Sequence, residues 1–258
     1  MQKFIVLFCS ALIISGSCNI APEKDQSLTV AEYKKLGMPD PGKSWNHQDY
    51  EKAYIALSKL RAKEPHALPR KGSPRSGVYF DRMTDIRNMT FLNDDAIPLT
   101  EKAYQIQSYI LIQHDLSDLY SNIFGPDRYY DREVIDLYLF GLSIMREMMQ
   151  LSRTIGESEN IGDRQMQAGL PALQYSFMTM INYILDDQKN ASAYRTADLE
   201  RLTDSVYVSV QRNVHWMKAD TRKELENRIQ IVMDSVESDH IHQKYSDLIG
   251  ILSEGKDS

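Results

Sequence analysis

Residues 37–44 read Gly-Met-Pro-Asp-Pro-Gly-Lys-Ser and satisfy the phosphate-loop spacing G-x-x-x-x-G-K-[ST]. In nucleotide-binding domains that loop leaves a buried strand, enters a helix and cradles phosphates with its backbone amides. Here the preceding residues 31–36 are polar and helical in pattern, and Pro39 and Pro41 each remove an amide donor. The stretch is therefore read as a turn and a helix start, and no nucleotide is expected. Glu237 and His240 have the Glu-x-x-His spacing that carboxylate-bridged di-metal bundles use twice, with two further carboxylates. Only one such pair is present. Asp239 and His242 repeat the spacing on another face of the same helix, so no metal site is expected there.

Other reactive residue types are scattered. His47, His66, His114 and His215 are isolated in sequence, and no serine lies in a nucleophile-elbow pattern. No catalytic residue, metal or cofactor is assigned. Met145, Met148, Met149, Met166, Met178 and Met180 cluster in two adjacent helical stretches. Thioethers can bind Cu(I), but their usual work is to fill irregular cores or line adaptable grooves. Arg70, Lys71 and Arg75 form a small basic loop just ahead of a helix start at Ser76. They are the candidate contact for an anion or lipid headgroup, against the ordinary case of a solvated loop.

The elements that must position these groups are helical. Residues 29–36 read as a short helix ended by Gly37, and Asn46 looks like an N-cap, with Asp49 three residues on and Tyr50, Ala53, Tyr54, Leu57 and Leu60 at helical spacing behind it. Ser76 starts a segment with Tyr79, Met83, Ile86 and Met89, and Thr100 opens a long helix broken at Gly125-Pro126. Residues 131–151 are the most apolar part of the body and are expected as the central helix of a bundle, since Asp136, Arg146 and Glu147 exclude a membrane span. Residues 163–188 are apolar on both faces, with a kink or break at Gly169-Leu170-Pro171. The general rule for such a helix is full burial. The alternative is a groove for a hydrophobic partner segment, lined by Met166, Tyr175, Phe177 and Met178. Thr196 and Asp220 open the last segments. Residues 207–210 alternate as a strand would, and the tyrosines are expected at core edges with hydroxyls near water.

The N-terminus supplies an address. Lys3, an apolar run over residues 4–14 and Ser15-Gly16-Ser17 lead to Cys18. The run is too short to cross a bilayer, which needs about 20 apolar residues. The stretch resembles the signals of bacterial lipoproteins, in which a cysteine after small residues is acylated and becomes the new N-terminus. The resemblance implies a lipid on Cys18 and a place in the bacterial cell envelope, at the outer membrane, periplasm or cell surface. Ser15 and Ser17 also suit ordinary signal cleavage, which would leave a secreted protein. Of the two cysteines, Cys9 lies in the segment to be removed, so Cys18 has no disulfide partner, and acylation would cap its thiol.

Composition bounds the rest. The chain has 258 residues and a formal net charge of −6, which argues against wide contact with nucleic acid. The expectation is an all-α chain: a signal over 1–17, an acylated cysteine and tether over 18–28, and one bundle of seven or eight helices over 29–258. The functional expectation is a non-catalytic binding or adaptor lipoprotein with an envelope protein as partner, or, as a special case, a toxin that it neutralises. A hydrolase of an envelope substrate and a small-ligand or metal carrier are the alternatives.

Overall fold

The first two helices begin alike. Thr29 Oγ1 accepts the Glu32 N–H while the Glu32 carboxylate reaches back to the Thr29 N–H, and Asn46 and Asp49 repeat the exchange. These capping boxes satisfy amides that the first turn leaves orphaned. The computed structural model describes residues 25–121, 129–156, 170–189 and 194–254. Among these residues it is an all-α bundle of nine helices without strands. They are α1 (Val30–Lys35), α2 (His47–Lys63), α3 (Gly77–Met83), α4 (Leu99–Ser121) and α5 (Asp131–Gly156), followed by α6 (Leu170–Gln188), α7 (Thr196–Asn213), α8 (Ala219–Met233) and α9 (Asp239–Glu254). No helix among the described residues is long and apolar enough to cross a membrane.

Three local expectations change. The segment from Ser76 does not stay helical to Met89. It leaves α geometry after Met83 and continues as 3₁₀ turns at Ile86–Asn88 and Thr90–Asn93. Asp85 causes the change, because its Oδ1 accepts the Arg87 N–H at 3.0 Å and so replaces a helical acceptor. Residues 207–210 are helical, with Val206 and Val210 on the buried stripe of α7. The last segment is two helices, because Ser235 and Ser238 break it. Ser235 Oγ donates to the Val232 carbonyl at 2.8 Å, and Ser238 Oγ accepts the Ile241 N–H at the start of α9.

Helix α5 holds the central place expected of it. Leu137, Phe140 and Ile144 face a core shared with α1–α4, while Leu142, Met145 and Met149 face a second core shared with α6–α9. The first core corrects the reading of the tyrosines. Tyr33, Tyr50, Tyr120 and Tyr130 are buried rather than at the edges, and their hydroxyls donate to the carbonyls of Ala67, Met83, Pro69 and Pro65. The irregular chain over 65–69 has carbonyls with no helical partner, and buried phenols satisfy them. Docking also extends further toward the N-terminus than position 29. Ser27 is buried, its hydroxyl accepts from Ser76 Oγ at 2.8 Å, and Asp25 accepts from Ser27 and from Ser73.

Candidate functional site

Cys18 and Met166 lie outside the described residues. The basic loop is described in full, and its charges are engaged. Arg70 Nε lies 3.8 Å from Glu133 Oε1, and its guanidinium stacks 4.1 Å from the Tyr129 ring. Lys71 Nζ is 3.2 Å from Asp136 and 3.5 Å from Asp81, and Arg75 is 3.9 Å from Glu32. Each cation therefore faces a carboxylate where an anion would have to sit. The loop instead ties the two halves together. Lys71 N–H donates to Glu133 at 2.7 Å, and Asp136 is also bonded by Arg201 of α7, which in turn pairs with Asp198. Burial raises the Glu133 carboxyl above its ordinary value, with Arg70 and the Lys71 amide pulling against it.

The phosphate-loop spacing folds as a turn between two helices. Asp40 occupies its amides: the Gly42 N–H donates to Asp40 Oδ1 at 3.1 Å and the Lys43 N–H to its carbonyl at 3.3 Å. Glu237 precedes α9 rather than lying on it, so Glu237 and His240 do not share a helix face. His240 Nε2 is 3.0 Å from Asp204 instead. Among the described residues no group of three or more His, Cys, Asp or Glu side chains is placed to hold a metal ion.

Helix α6 departs from the full burial expected of an all-round apolar helix. Phe177 is 1% exposed and lies on one inward stripe with Ile181, Ile184 and Leu185, but Tyr175 is 75% exposed and Tyr183 65%. Spaced eight residues apart, the two tyrosines share the outward face, where their rings meet water with a polar tip. Helix α6 is described from Leu170 onward, so the expected helix over 163–169 and the kink or break at Gly169 lie outside the described residues. A cleft of about 590 Å³ opens between this helix and residues 213–228. Phe177 and Met178 line one side, Trp216 and Met217 the other, with Tyr175 at the mouth. Asn182 Oδ1 is buried there without a hydrogen-bond partner. Three of the four expected groove residues are thus brought together on this cleft.

A second cleft, of about 530 Å³, meets the first at Met149, Asn213 and Trp216, which line both. Its polar wall carries three arginines, Arg146 and Arg153 from α5 and Arg212 from α7, with His215 from the 3₁₀ turn at Val214–Trp216 beside them. Among the described residues, no carboxylate lines it. Arg146 is half-buried, yet its partners are neutral hydroxyls: Nη1 donates to Ser205 at 3.1 Å and Ser209 at 3.0 Å, and Nη2 to Ser143 at 2.7 Å. Burial lowers its pKa first, the Arg212 charge lowers it further, and Glu147 offsets part of this. Burial and then Arg153 hold the His215 imidazole below its ordinary value, so it is neutral at pH 7. The sequence reasoning missed this cleft. Arg146 and Arg153, seven residues apart, share a helix face, but nothing in the linear pattern says that Arg212 and His215 come to the same face.

Comparison with family models, curated proteins and solved structures returns no match to this chain.

Proposed function

We propose that the chain is a non-catalytic binding lipoprotein of the bacterial cell envelope, held at a membrane by lipid on Cys18, with its ligand seated in the cleft beside α6. The observation that carries the binding reading is the cleft itself. Its volume of about 590 Å³ falls in the range of roughly 300–1,000 Å³ typical of ligand sites. Its walls join apolar and aromatic side chains, Met149, Phe177, Met178, Trp216 and Met217, to polar and charged ones such as Asn182, Asp186, Glu224 and Arg228. Tyr175 and Tyr183 leave ring surface in water, where burial returns roughly 25 cal/mol per Å². A ligand with an apolar body gains that energy without reorganising the helix. The anchor rests on Lys3, the apolar run and Gly16-Ser17-Cys18.

Oxidative footprinting tests the cleft. Met178 and Tyr175 of the purified protein should be modified, and a bacterial envelope extract should protect them. Modification that the extract leaves unchanged would overturn the site. Intact mass of the protein expressed with its own first 17 residues tests the anchor, since diacyl or triacyl lipid on Cys18 is expected.

A further inference from the structure

The basic cleft is unusual in this molecule. The chain is acidic overall, with a formal net charge of −6; of its other shielded cations, Lys102 and Arg61 donate to backbone carbonyls, while several others face carboxylates. Arg70, Lys71, Arg82, Arg201 and Arg228 each face a carboxylate at 3.8 Å or less. Among the described residues, neither Arg146 nor Arg212 has a carboxylate within ion-pairing distance. A cation removed from water without a counter-charge is costly, and serine hydroxyls supply hydrogen-bond acceptors but cancel no charge. Arg146 therefore keeps its positive field and part of its N–H fork, because three of its bonds are spent on serines and a guanidinium carries five donors. Arg212 adds a second charge to the cleft, and Arg153 also lines it and has a partner of its own. This is the arrangement that recognises carboxylate or phosphate, where a planar fork binds two oxygens at once.

The place of the cleft narrows the ligand further. Trp216 and Met149 belong to its wall and also to the wall of the apolar cleft. A charged head bound at Arg146 therefore has aromatic and thioether surface directly beside it.

We propose that the basic cleft is the oxyanion subsite of the binding site, in which Arg146 and Arg212 take the carboxylate or phosphate head of an amphiphile whose apolar body lies along Trp216 and Met217 toward Met178. The inference rests on the binding reading above and adds the chemical class of ligand. Arg146 is stitched to α5 and α7 by its serines, so its fork is held in place before the ligand arrives, which lowers the ordering cost of binding. His215, uncharged at pH 7, supplies a hydrogen bond at the rim.

Trp216 gives a local optical signal, since the chain's other tryptophan, Trp45, is buried in the first core. The full chain is titrated with octyl phosphate, octanoate, octyl glucoside and inorganic phosphate, all below micelle-forming concentration. Octyl phosphate or octanoate should change the tryptophan emission with saturation, and Trp216→Phe should remove the signal. Octyl glucoside should bind at least tenfold more weakly. Arg212→Gln and Arg146→Gln should each weaken the anionic amphiphile at least tenfold and leave octyl glucoside unchanged. Arg212 is exposed and makes no structural bond, so its variant carries the test if Arg146→Gln fails to fold. Equal binding of neutral and anionic amphiphiles, or Arg212→Gln binding octyl phosphate as the parent does, would overturn the oxyanion subsite and leave the apolar cleft standing. Inorganic phosphate bound as tightly as octyl phosphate would overturn the amphiphile. Absence of any binding would overturn both the subsite and the cleft.

Discussion

Gly141 sits in the middle of α5, at the closest approach of that helix to its neighbours. A Cβ built there would lie 3.0 Å from Gln113 Cδ and Nε2 on α4 and 3.0 Å from Met180 Cε on α6. Gly141→Ala in an open helix would add about 1 kcal/mol of stability through helix propensity. Here the new methyl needs several tenths of an ångström more, because carbon contacts are optimal near 3.5–4.0 Å. Met180 can move, since its contact is the end of a flexible chain. Gln113 cannot move freely. It is buried, and its Nε2 donates to Ser117 Oγ at 2.9 Å and to the Leu137 carbonyl at 3.3 Å. Displacing it loses hydrogen bonds of about 0.5–1.5 kcal/mol each, on top of overpacking of about 1–3 kcal/mol. The expected net result is a loss of about 1–5 kcal/mol. In a Gln113→Ala background the obstacle is gone, and the same substitution should become neutral or stabilising by up to about 1 kcal/mol. Urea unfolding of the parent, the two single variants and the double variant measures this coupling. If Gly141→Ala stabilises the parent, or costs the same in both backgrounds, then Gln113 is not what requires glycine at the centre of the bundle.

Three further outcomes follow from the same contacts and from the signal. Cys18→Ser should release the protein from membranes, read by fractionation, whereas an unmodified Cys18 in the parent would remove the anchor from the account. Lys43→Ala should change neither stability nor ligand binding, because the amides beside it are already taken by Asp40, and neither form should bind ATP in equilibrium dialysis. Glu133→Gln should alter the pH dependence of stability. Burial raises the Glu133 pKa above 4.5, so the folded state holds this proton at a higher pH than the unfolded state does. The contribution of Glu133 therefore weakens as pH rises from about 4.5 through the raised value. The variant keeps the acceptor for the Lys71 N–H and loses this dependence, so its stability relative to the parent should rise across that window and then level off. A flat difference in urea midpoints over that range would refute the burial argument.

The helical class was legible because it depends on local pattern. Asn46 with Asp49, the proline at 65 and the apolar spacing behind Asp131 each act within a few residues, and each appears in the structure at its expected place. The departures occur where a side chain competes with the helix for backbone hydrogen bonds, as Asp85 and Ser238 do. Periodicity cannot register that competition, because the apolar spacing continues across Ile86 and Met89 after the α-helix has ended. The buried tyrosines of the first core depart for a different reason. A phenol at a helical position reads as an edge residue until the carbonyls it must satisfy are known, and those belong to the loop over 65–69.

The two basic groupings show why the site was harder to read than the fold. Arg70, Lys71 and Arg75 stand together in sequence and look like an anion contact, but contiguous cations on one loop can be met by carboxylates from several elements at once. Glu32, Asp81, Glu133 and Asp136 come from α1, α3 and α5 to do so. Arg146 and Arg212 are 66 positions apart and look like solvated helix charges. They converge because α5 and α7 pack along one line, with Ser143, Ser205 and Ser209 small enough to let a guanidinium lie between the helices. Net local charge, rather than the density of basic residues along the chain, decides where an anion can bind. That quantity exists only once the helices are packed, and on it the proposed oxyanion subsite rests on Arg146, whose bonds go to serines, with Arg212 beside it.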